Sequence, residues 1–165
     1  RTKGTRPMTD RAREALFSTL GPVVEGARVL DLYAGSGSLG LESLSRGAAS
    51  AVFVERHRRA LKALRANVDS IGLGGRVIAD DVEHFLEQPD GVFDLAFVDP
   101  PYALSLASVE TVLDRLVPRL EEGAQVVLHR RAGDSIPTAP PALRPVDRRR
   151  HGDSELHRFV RGGQA

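Results

Sequence analysis

The chain has 165 residues, no cysteine and a formal net charge of +1. Its length suits one domain with a full hydrophobic core, and no apolar run approaches the ~18 residues of a membrane span. Because cysteine is absent, disulfides and thiolate metal sites are excluded and a reducing, cytoplasmic compartment is expected. The five histidines lack metal-ligand spacing. We therefore expect the histidines at solvated or edge positions and no metal site. We also expect a monomer that does not bind a membrane.

Charge is unevenly distributed along the chain. Residues 1–13 carry five bases against one acid, residues 144–161 carry six against three, and residues 14–143 carry twelve against eighteen. Basic ends around an acidic centre indicate a polyanion held at the periphery while chemistry occurs elsewhere. The alternative is ordinary solvated arginine in an arginine-biased proteome, with 21 Arg against 2 Lys. Because the chain begins at Arg1 and not at Met, we expect a missing N-terminal piece.

The predicted elements begin with an extended basic arm over residues 1–9. An amphipathic helix starts at Thr9 and Asp10 and ends at Gly21. Five apolar strands follow, at residues 27–33, 50–55, 76–79, 93–98 and 124–129. The helices between them cover residues 39–44, 61–71, 82–86 and 106–116. Apolar strands that alternate with amphipathic helices predict a parallel sheet covered on both faces.

The C-terminal part has a different pattern. Residues 136–145 contain four prolines and are expected to form a loop. Segments 144–150 and 154–160 flank His151-Gly152-Asp153, which is a hairpin signal. The expected fold is α/β, a doubly wound, mostly parallel seven-stranded sheet with a C-terminal antiparallel hairpin. The single domain, 1–165, then consists of an arm and first helix (1–20), an α/β core (27–130) and the hairpin (143–161).

A glycine-rich turn, Gly35-Ser36-Gly37-Ser38-Leu39-Gly40, follows the first strand, and Glu55 lies twenty residues beyond Gly35. This spacing matches the dinucleotide fingerprint, and by itself it leaves NAD and S-adenosylmethionine open. Asp31 lies four residues before the first glycine, at the end of the strand. Its carboxylate would repel a pyrophosphate but suits a ligand with an ammonium and a sulfonium group. S-adenosylmethionine has both groups and is the expected cofactor.

Carboxylates also end the second and third strands. Glu55 suits ribose hydroxyls, while Asp81 and the Val82 amide form an acceptor and donor pair for the exocyclic amine and ring nitrogen of adenine. Asp31, Glu55 and Asp81 could each cap a helix instead. Because the carboxyl ends of parallel strands meet at one edge of a sheet, the three together favour a ligand site.

The fourth strand ends at Asp99-Pro100-Pro101-Tyr102. Two successive prolines cannot continue a sheet ladder, because each fixes φ and lacks an N–H. The stretch suits a flat group that bears an amine. Asp99 and the Pro100 carbonyl would accept its two N–H groups, and Tyr102 would stack on its face. The alternative is a turn that merely ends the strand.

These motifs together resemble those of class I S-adenosylmethionine-dependent methyltransferases, which have a Rossmann-like fold. The Asp-Pro-Pro-Tyr tetrapeptide has the form seen in members that modify exocyclic amines. The segment from Arg6 to Phe17 and the segment from Arg148 to Ser154 are similar to segments of bacterial small-subunit ribosomal RNA guanine-N2 methyltransferases of the RsmD type. The resemblance covers nearly the whole chain.

The resemblance implies methyl transfer to the N2 amine of an unstacked or flipped guanine in 16S ribosomal RNA, within a small-subunit particle. It implies catalytic roles for Asp99, Pro100, Pro101 and Tyr102. It implies cofactor binding by Asp31, Ala34, Gly35, Ser36, Gly37, Gly40, Glu55, Asp81 and Val82. The RNA phosphates would be held by Arg6, Arg11, Arg148, Arg149 and Arg150. Compared with that family, the chain lacks an opening basic β-hairpin, which predicts reduced RNA affinity.

Other functions stay open at this point. An adenine-N6 DNA methyltransferase uses the same tetrapeptide, but 165 residues leave no room for a sizeable target-recognition insertion. Methylation of a protein glutamine amide fits the basic ends less well. A nicotinamide-dinucleotide-binding dehydrogenase, or a cofactor-binding module without catalysis, would use the glycine turn without methyl transfer. Thermal stabilisation by NAD or by S-adenosylmethionine discriminates these classes.

Overall fold

A seven-stranded sheet organises the molecule, which the computed structural model describes over residues 8–89 and 91–162. Most of the predicted basic arm, including Arg6, lies outside these residues. The strands are β1 (Arg28–Leu32), β2 (Ser50–Glu55), β3 (Arg76–Ala79), β4 (Phe93–Val98), β5 (Leu120–Arg131), β6 (Leu143–His151) and β7 (Ser154–Arg161). The helices are α1 (Asp10–Leu20), α2 (Ser38–Ser45), α3 (Arg58–Ile71), α4 (Val82–Glu87) and α5 (Leu106–Leu116).

The strand order confirms the predicted fold class. The sheet runs β3-β2-β1-β4-β5-β7-β6, with parallel pairing from β3 to β5 and antiparallel pairing of β7 with β5 and β6. The order reverses between β1 and β4, because β2 and β3 extend the sheet to one side and β5 to the other. In doubly wound sheets such a reversal opens a crevice at the carboxyl ends of the strands.

Successive side chains of the central strands point to opposite faces of the sheet and belong to two halves of the hydrophobic core. Leu30 and Leu32 of β1 pack with α4 and α5 on one face of the sheet. Val29, the residue before Leu30, packs with α1, α2 and α3 on the other face. Both faces of β1 are therefore buried, which explains its nearly continuous apolar sequence. Within the described residues no helix is long and apolar enough to cross a membrane.

β5 is longer than its sequence pattern indicated. It covers residues 120–131, against 124–129 expected, because Leu120 pairs with Phe93 of β4 and Arg131 pairs with Ser154 of β7. The loop expected over residues 136–145 ends earlier, since β6 already begins at Leu143. Pro145 is tolerated inside β6 because the strand is at the sheet edge and its pairing shifts between Pro145 and Asp147.

The expectation that the histidines are solvated or at edges is wrong for two of them. His129 on β5 is 1% exposed and His157 on β7 is 5% exposed. Both lie inside the sheet, where antiparallel pairing of β7 covers β5. Burial lowers the pKa of His157, although the nearby Glu155 carboxylate acts in the opposite direction.

Gly40 in α2 tests how tightly the core is packed against the first strand. A Cβ added there would lie 2.4 Å from Cε2 of the buried Phe53 ring and 3.1 Å from Asp31 Oδ2. A helical Gly→Ala change otherwise stabilises by about 1 kcal/mol. We expect Gly40→Ala to destabilise the protein instead, by about 1–3 kcal/mol, because the core is overpacked. Urea denaturation measures this difference.

Gly162→Ala is the matched control for this change, because a Cβ there would meet nothing within 4 Å. Its free energy of unfolding should stay close to that of the wild type. A Gly40→Ala protein that is as stable as the control would contradict the packing described above.

Candidate active site

A cleft opens at the carboxyl ends of β1, β2, β3 and β4. In doubly wound sheets this edge is where ligands bind. The cleft is lined by residues that follow the strands and by the starts of α3 and α4, namely Tyr33, Gly35, Val54, Glu55, Arg56, His57, Ala60, Asp80, Asp81, Val82, Glu83, Asp99, Pro101 and Leu104. The predicted site residues Gly35, Glu55, Asp81, Val82, Asp99 and Pro101 therefore share one cavity.

The glycine turn leads from β1 into α2 through left-handed backbone. Gly35 has φ 60° and Gly37, at the N-cap of α2, has φ 89°. A side chain would strain these positions, and a Cβ on Gly37 would also lie 2.5 Å from Leu64 Cδ1. The turn is closed by the Gly37 N–H bond to the Ala34 carbonyl (2.9 Å). Asn67 of α3 donates to the Ser36 carbonyl at 2.9 Å and so ties the turn to α3.

Glu55 connects this turn to the end of β2. Its carboxylate accepts the Gly35 N–H at 2.8 Å, the His57 N–H at 2.9 Å and the Arg56 N–H at 3.1 Å. A carboxylate has about four acceptor positions, so three N–H bonds leave capacity for one ligand hydroxyl. Glu55 thus shapes the cleft wall and also presents an acceptor to it.

Asp31 occupies a different place from the one that its predicted role requires. It is 1% exposed, does not line the cleft, and accepts the Gly40 N–H at 2.9 Å, in the first turn of α2. Burial raises the pKa of Asp31, and the charges of Asp99 and Glu55 raise it further. The helix-capping alternative for Asp31 is therefore present in the structure, and direct cofactor contact stays a prediction.

Asp81 and Val82 stand at the start of α4. Asp81 is the N-cap residue, with its carboxylate 3.4 Å from the His84 N–H and 3.8 Å from the Arg56 guanidinium. Val82 is the first helical residue, and an amide at that position has no acceptor within its helix. Asp81 thus caps α4, and at the cleft Asp81 offers an acceptor while the Val82 amide offers a donor.

Tyr33 is a cleft residue that the sequence patterns did not single out. It follows β1 with φ 58°, a left-handed conformation that is uncommon for a non-glycine residue. Burial raises the pKa of its phenol, as do the charges of Glu83 and Asp81, so the hydroxyl keeps its proton at neutral pH. The strained backbone and the position in the cleft are the signals of a functional residue, but φ cannot be derived from sequence.

The Asp99-Pro100-Pro101-Tyr102 turn is held from both faces of the sheet. Asp99 and Pro101 line the cleft, whereas Pro100 and Tyr102 are not among the lining residues. Arg130, which is buried, lies 3.4 Å from the carbonyl oxygens of both Pro101 and Tyr102. Burial lowers the pKa of Arg130.

His129 is the second residue that sequence reasoning missed. Its Nδ1 lies 2.7 Å from Asp99 Oδ1 and its Nε2 lies 2.8 Å from Ser154 Oγ. The available signal was its place near the carboxyl end of the strand next to the Asp99 strand. The absence of metal-ligand spacing pointed to solvent instead.

The predicted RNA-binding arginines come from the two ends of the chain. Arg6 lies outside the described residues, and Arg11 is exposed on α1. Arg148, Arg149 and Arg150 follow one another in β6, so their side chains alternate between the faces of the sheet. Arg149 also lies beside its own strand's Asp147 at 2.9 Å. Arg149 therefore lies on the opposite face of the sheet from Arg148 and Arg150, and phosphate contact by the three residues stays a prediction.

The reversal of strand order between β1 and β4, with an acidic cofactor cleft at that point, is the architecture of class I S-adenosylmethionine-dependent methyltransferases. The family model described as Conserved hypothetical protein 95 matches residues 1–160. The chain belongs to this family, the RsmD family of methyltransferases.

Comparisons with individual proteins agree with this membership. The chain is 38% identical over 140 residues to ribosomal RNA small subunit methyltransferase D of Escherichia coli K12. This match covers 83% of this chain and 70% of the relative. The structure of the E. coli protein yhhF matches with a TM-score of 0.87 at 34% identity, over 99% of this chain and 91% of that one. An RNA methyltransferase from Salinibacter ruber in complex with S-adenosyl-L-homocysteine matches with a TM-score of 0.73, over 97% and 96% of the chains. At 15% identity this last likeness shows the fold alone.

The charge of the cleft fits S-adenosylmethionine, the cofactor of this class. Five carboxylates line the cleft against Arg56 and His57, namely Glu55, Asp80, Asp81, Glu83 and Asp99. Such a lining favours a ligand with cationic groups and disfavours the pyrophosphate of a nicotinamide dinucleotide. Among the described residues no group of three or more His, Cys, Asp or Glu could hold a metal ion.

Replacing Glu55 tests its place in the cofactor site. Glu55→Ala removes the acceptor of three backbone N–H groups and of a ligand hydroxyl. Because hydrogen bonds to charged groups contribute about 1.5–3 kcal/mol, we expect the Kd for S-adenosylmethionine to rise about 10- to 100-fold. Isothermal titration calorimetry measures this Kd.

Glu87→Ala is the control, because Glu87 is exposed on α4, lies near Arg115 and is not part of the cleft lining. Its Kd should equal that of the wild type. An unchanged Kd in Glu55→Ala, in a protein that thermal denaturation shows to be folded, would remove Glu55 from the cofactor site.

Proposed function

We propose that this protein transfers a methyl group from S-adenosylmethionine to the exocyclic N2 amine of a guanine in 16S ribosomal RNA. The observation that carries the proposal is the Asp99 carboxylate, held at the cleft beside the proposed cofactor residues. The identity of 38% to ribosomal RNA small subunit methyltransferase D supports the ribosomal RNA substrate. Because ribosomal subunits are assembled in the bacterial cytoplasm, this substrate would place the reaction there.

The exocyclic amine of guanine is a weak nucleophile, because its lone pair is delocalised into the purine ring. When bound, S-adenosylmethionine supplies a methyl group activated by a positively charged sulfur. Asp99 and the Pro100 carbonyl would accept the two amine N–H groups and favour a pyramidal nitrogen whose lone pair faces the cofactor. Fixed placement of this kind contributes a large part of many enzymatic rates. The methylated nitrogen becomes cationic and acidic, and Asp99 would take its proton directly or pass it to water.

The remaining residues of the turn would position the base. Tyr102 carries an aromatic ring at the end of the turn, and the Arg131 guanidinium lies 5.5 Å from the centre of this ring. A guanine must leave its own stack to reach Asp99, and stacking on an aromatic side chain offsets part of the unstacking cost, at about 1–3 kcal/mol per base. Pro101, which lines the cleft, would set the angle at which the Pro100 carbonyl meets the amine.

RNA binding would rest on basic residues outside the cleft. Arg11 is exposed on α1, and Arg148 and Arg150 share one face of the edge strand β6. Arg6 belongs to the N-terminal arm, for which we keep the proposed phosphate contact. Phosphate contacts of this kind make affinity fall as salt rises. We therefore propose a salt-sensitive complex in which these arginines hold the backbone and Asp99 meets the base.

The substrate is tested with radiolabelled S-adenosylmethionine and three acceptors. These are small ribosomal subunits from cells that lack the endogenous enzyme, the RNA stripped from those subunits, and duplex DNA. Digestion to nucleosides then identifies the labelled product. We expect N2-methylguanosine from the subunits. Label in stripped RNA as well would show that the enzyme does not require an assembled subunit. Label in N6-methyladenine from DNA would overturn the RNA substrate.

Asp99→Ala tests the central catalytic assignment. Because the variant loses both the acceptor for the amine and the proton acceptor, we expect turnover to fall by about 100-fold or more. The Kd for S-adenosylmethionine should change little. Asp114→Ala, at an exposed position on α5, should retain full turnover. An Asp99→Ala enzyme that keeps more than about a tenth of wild-type turnover would refute the role assigned to Asp99.

A further inference from the structure

A buried hydrogen-bonded chain connects the catalytic turn to the C-terminal hairpin. Asp99 Oδ1 lies 2.7 Å from His129 Nδ1, and His129 Nε2 lies 2.8 Å from Ser154 Oγ. The Tyr102 hydroxyl lies 3.5 Å from the same Nε2 atom. His129 is 1% exposed and Ser154 is 4% exposed, whereas the Asp99 side chain keeps 28% of its surface exposed and lines the cleft.

The chemistry of the pair determines which atom carries the proton. An ionised carboxylate only accepts hydrogen bonds, so Nδ1 of His129 must be the donor to Asp99. Nε2 is then left for Ser154, whose hydroxyl can donate or accept. In either case one oxygen of Asp99 is engaged by His129.

The sheet holds this donor in a fixed place. Leu128 is the register partner of Val98, so the next residues, His129 near the end of β5 and Asp99 directly after β4, lie beside each other. Antiparallel pairing with β7 covers the other side of β5, where His129 is opposite Leu156. Groups mounted on paired strands are held more rigidly than groups on loops.

The order Ser154, His129, Asp99 has the spacing of a nucleophilic triad, but its surroundings do not allow that chemistry. Ser154 is buried and does not line the cleft, so no substrate carbonyl can reach its hydroxyl. A triad serine must be accessible to the bond that it attacks. The exposed end of this hydrogen-bonded chain is the carboxylate.

We propose that His129 is a positioning residue that acts through Asp99. Its Nδ1–H holds Oδ1 of the carboxylate, and the second oxygen is thereby oriented to accept an N–H of the substrate amine. Ser154 would fix the ring through Nε2, so that the C-terminal hairpin supports the catalytic turn. The inference rests on the proposed role of Asp99 and does not depend on which nucleic acid carries the amine.

Two substitutions at position 129 separate the hydrogen bond from packing. His129→Leu removes the donor, while the amide nitrogen of His129→Asn lies close to the former Nδ1 position and restores it. A carboxylate free to rotate misplaces the amine, and misplacement by about 1 Å can cost about 100-fold in rate. We expect kcat to fall about 100-fold in His129→Leu and to recover to within about 10-fold of wild type in His129→Asn, with little change in KM for S-adenosylmethionine.

His157→Leu is the matched control. It also removes a buried imidazole from a sheet strand, and the polar partner at hydrogen-bonding distance from that ring is Glu155 and not Asp99. Its kcat should stay within about threefold of wild type, although its stability falls. Equal losses of kcat in His157→Leu and His129→Leu, with no recovery in His129→Asn, would reduce His129 to a structural residue and overturn the proposal.

A double-mutant cycle tests whether His129 acts through Asp99. In an Asp99→Asn background, adding His129→Leu should lower the remaining kcat by less than about threefold, because residues that act as a unit are not additive. Multiplication of the two single losses would show that His129 acts independently of Asp99. All rates are measured on whichever acceptor the wild type methylates, so a failure of the ribosomal RNA proposal does not affect this comparison.

A measurement without substrate completes the test and does not depend on the activity of a variant. Long-range ¹H–¹⁵N NMR spectra of the wild type distinguish a protonated from an unprotonated ring nitrogen. The His129 signals are assigned by their loss in His129→Asn. We expect a protonated Nδ1 at neutral pH. An unprotonated Nδ1 cannot donate to Asp99 and would overturn the proposal.

Discussion

The active site depends on the parallel pairing of β1 with β4. In this register Leu32 is opposite Val98, so the residues that follow them, Tyr33 and Asp99, emerge together at the same edge of the sheet. β1 continues into the glycine turn and β4 into the proline turn, which places the proposed cofactor and amine-binding segments side by side. Because both strands are central and buried on both faces, this alignment is as rigid as the core itself.

Negative charge is concentrated in the cleft and in the core beside it, and backbone N–H groups stabilise the buried carboxylates. Asp31 is buried with the Gly40 N–H, and Glu55 is buried with three N–H groups around it. A buried carboxylate without such donors would be strongly destabilising. The same arrangement that satisfies these charges also shapes the glycine turn, so the cofactor cleft and the fold of β1 and β2 are parts of one hydrogen-bonded structure.

The C-terminal hairpin does more than cover the edge of the parallel strands, because it also supports the turn that follows β4. β7 covers β5 and supplies Ser154. β5 supplies His129 and Arg130, which lie on opposite faces of the sheet and both contact the Asp99–Tyr102 turn. The predicted catalytic and cofactor motifs precede residue 103, yet the groups that hold the Asp99–Tyr102 turn come from residues 129, 130 and 154. The hairpin and the motif region therefore work as one unit.

The elements themselves were determined by local sequence. Apolar runs predicted β2, β3 and β4 with the bounds that they have. Strand ends predicted that Asp31, Glu55 and Asp81 would share one edge of the sheet, and of these Glu55 and Asp81 line the cleft together with Asp99. The contact of His129 with Asp99 and the burial of Asp31 against Gly40 were decided by tertiary structure. Each depends on register and on which face a side chain takes, and these are set by pairing between distant residues that no local pattern records.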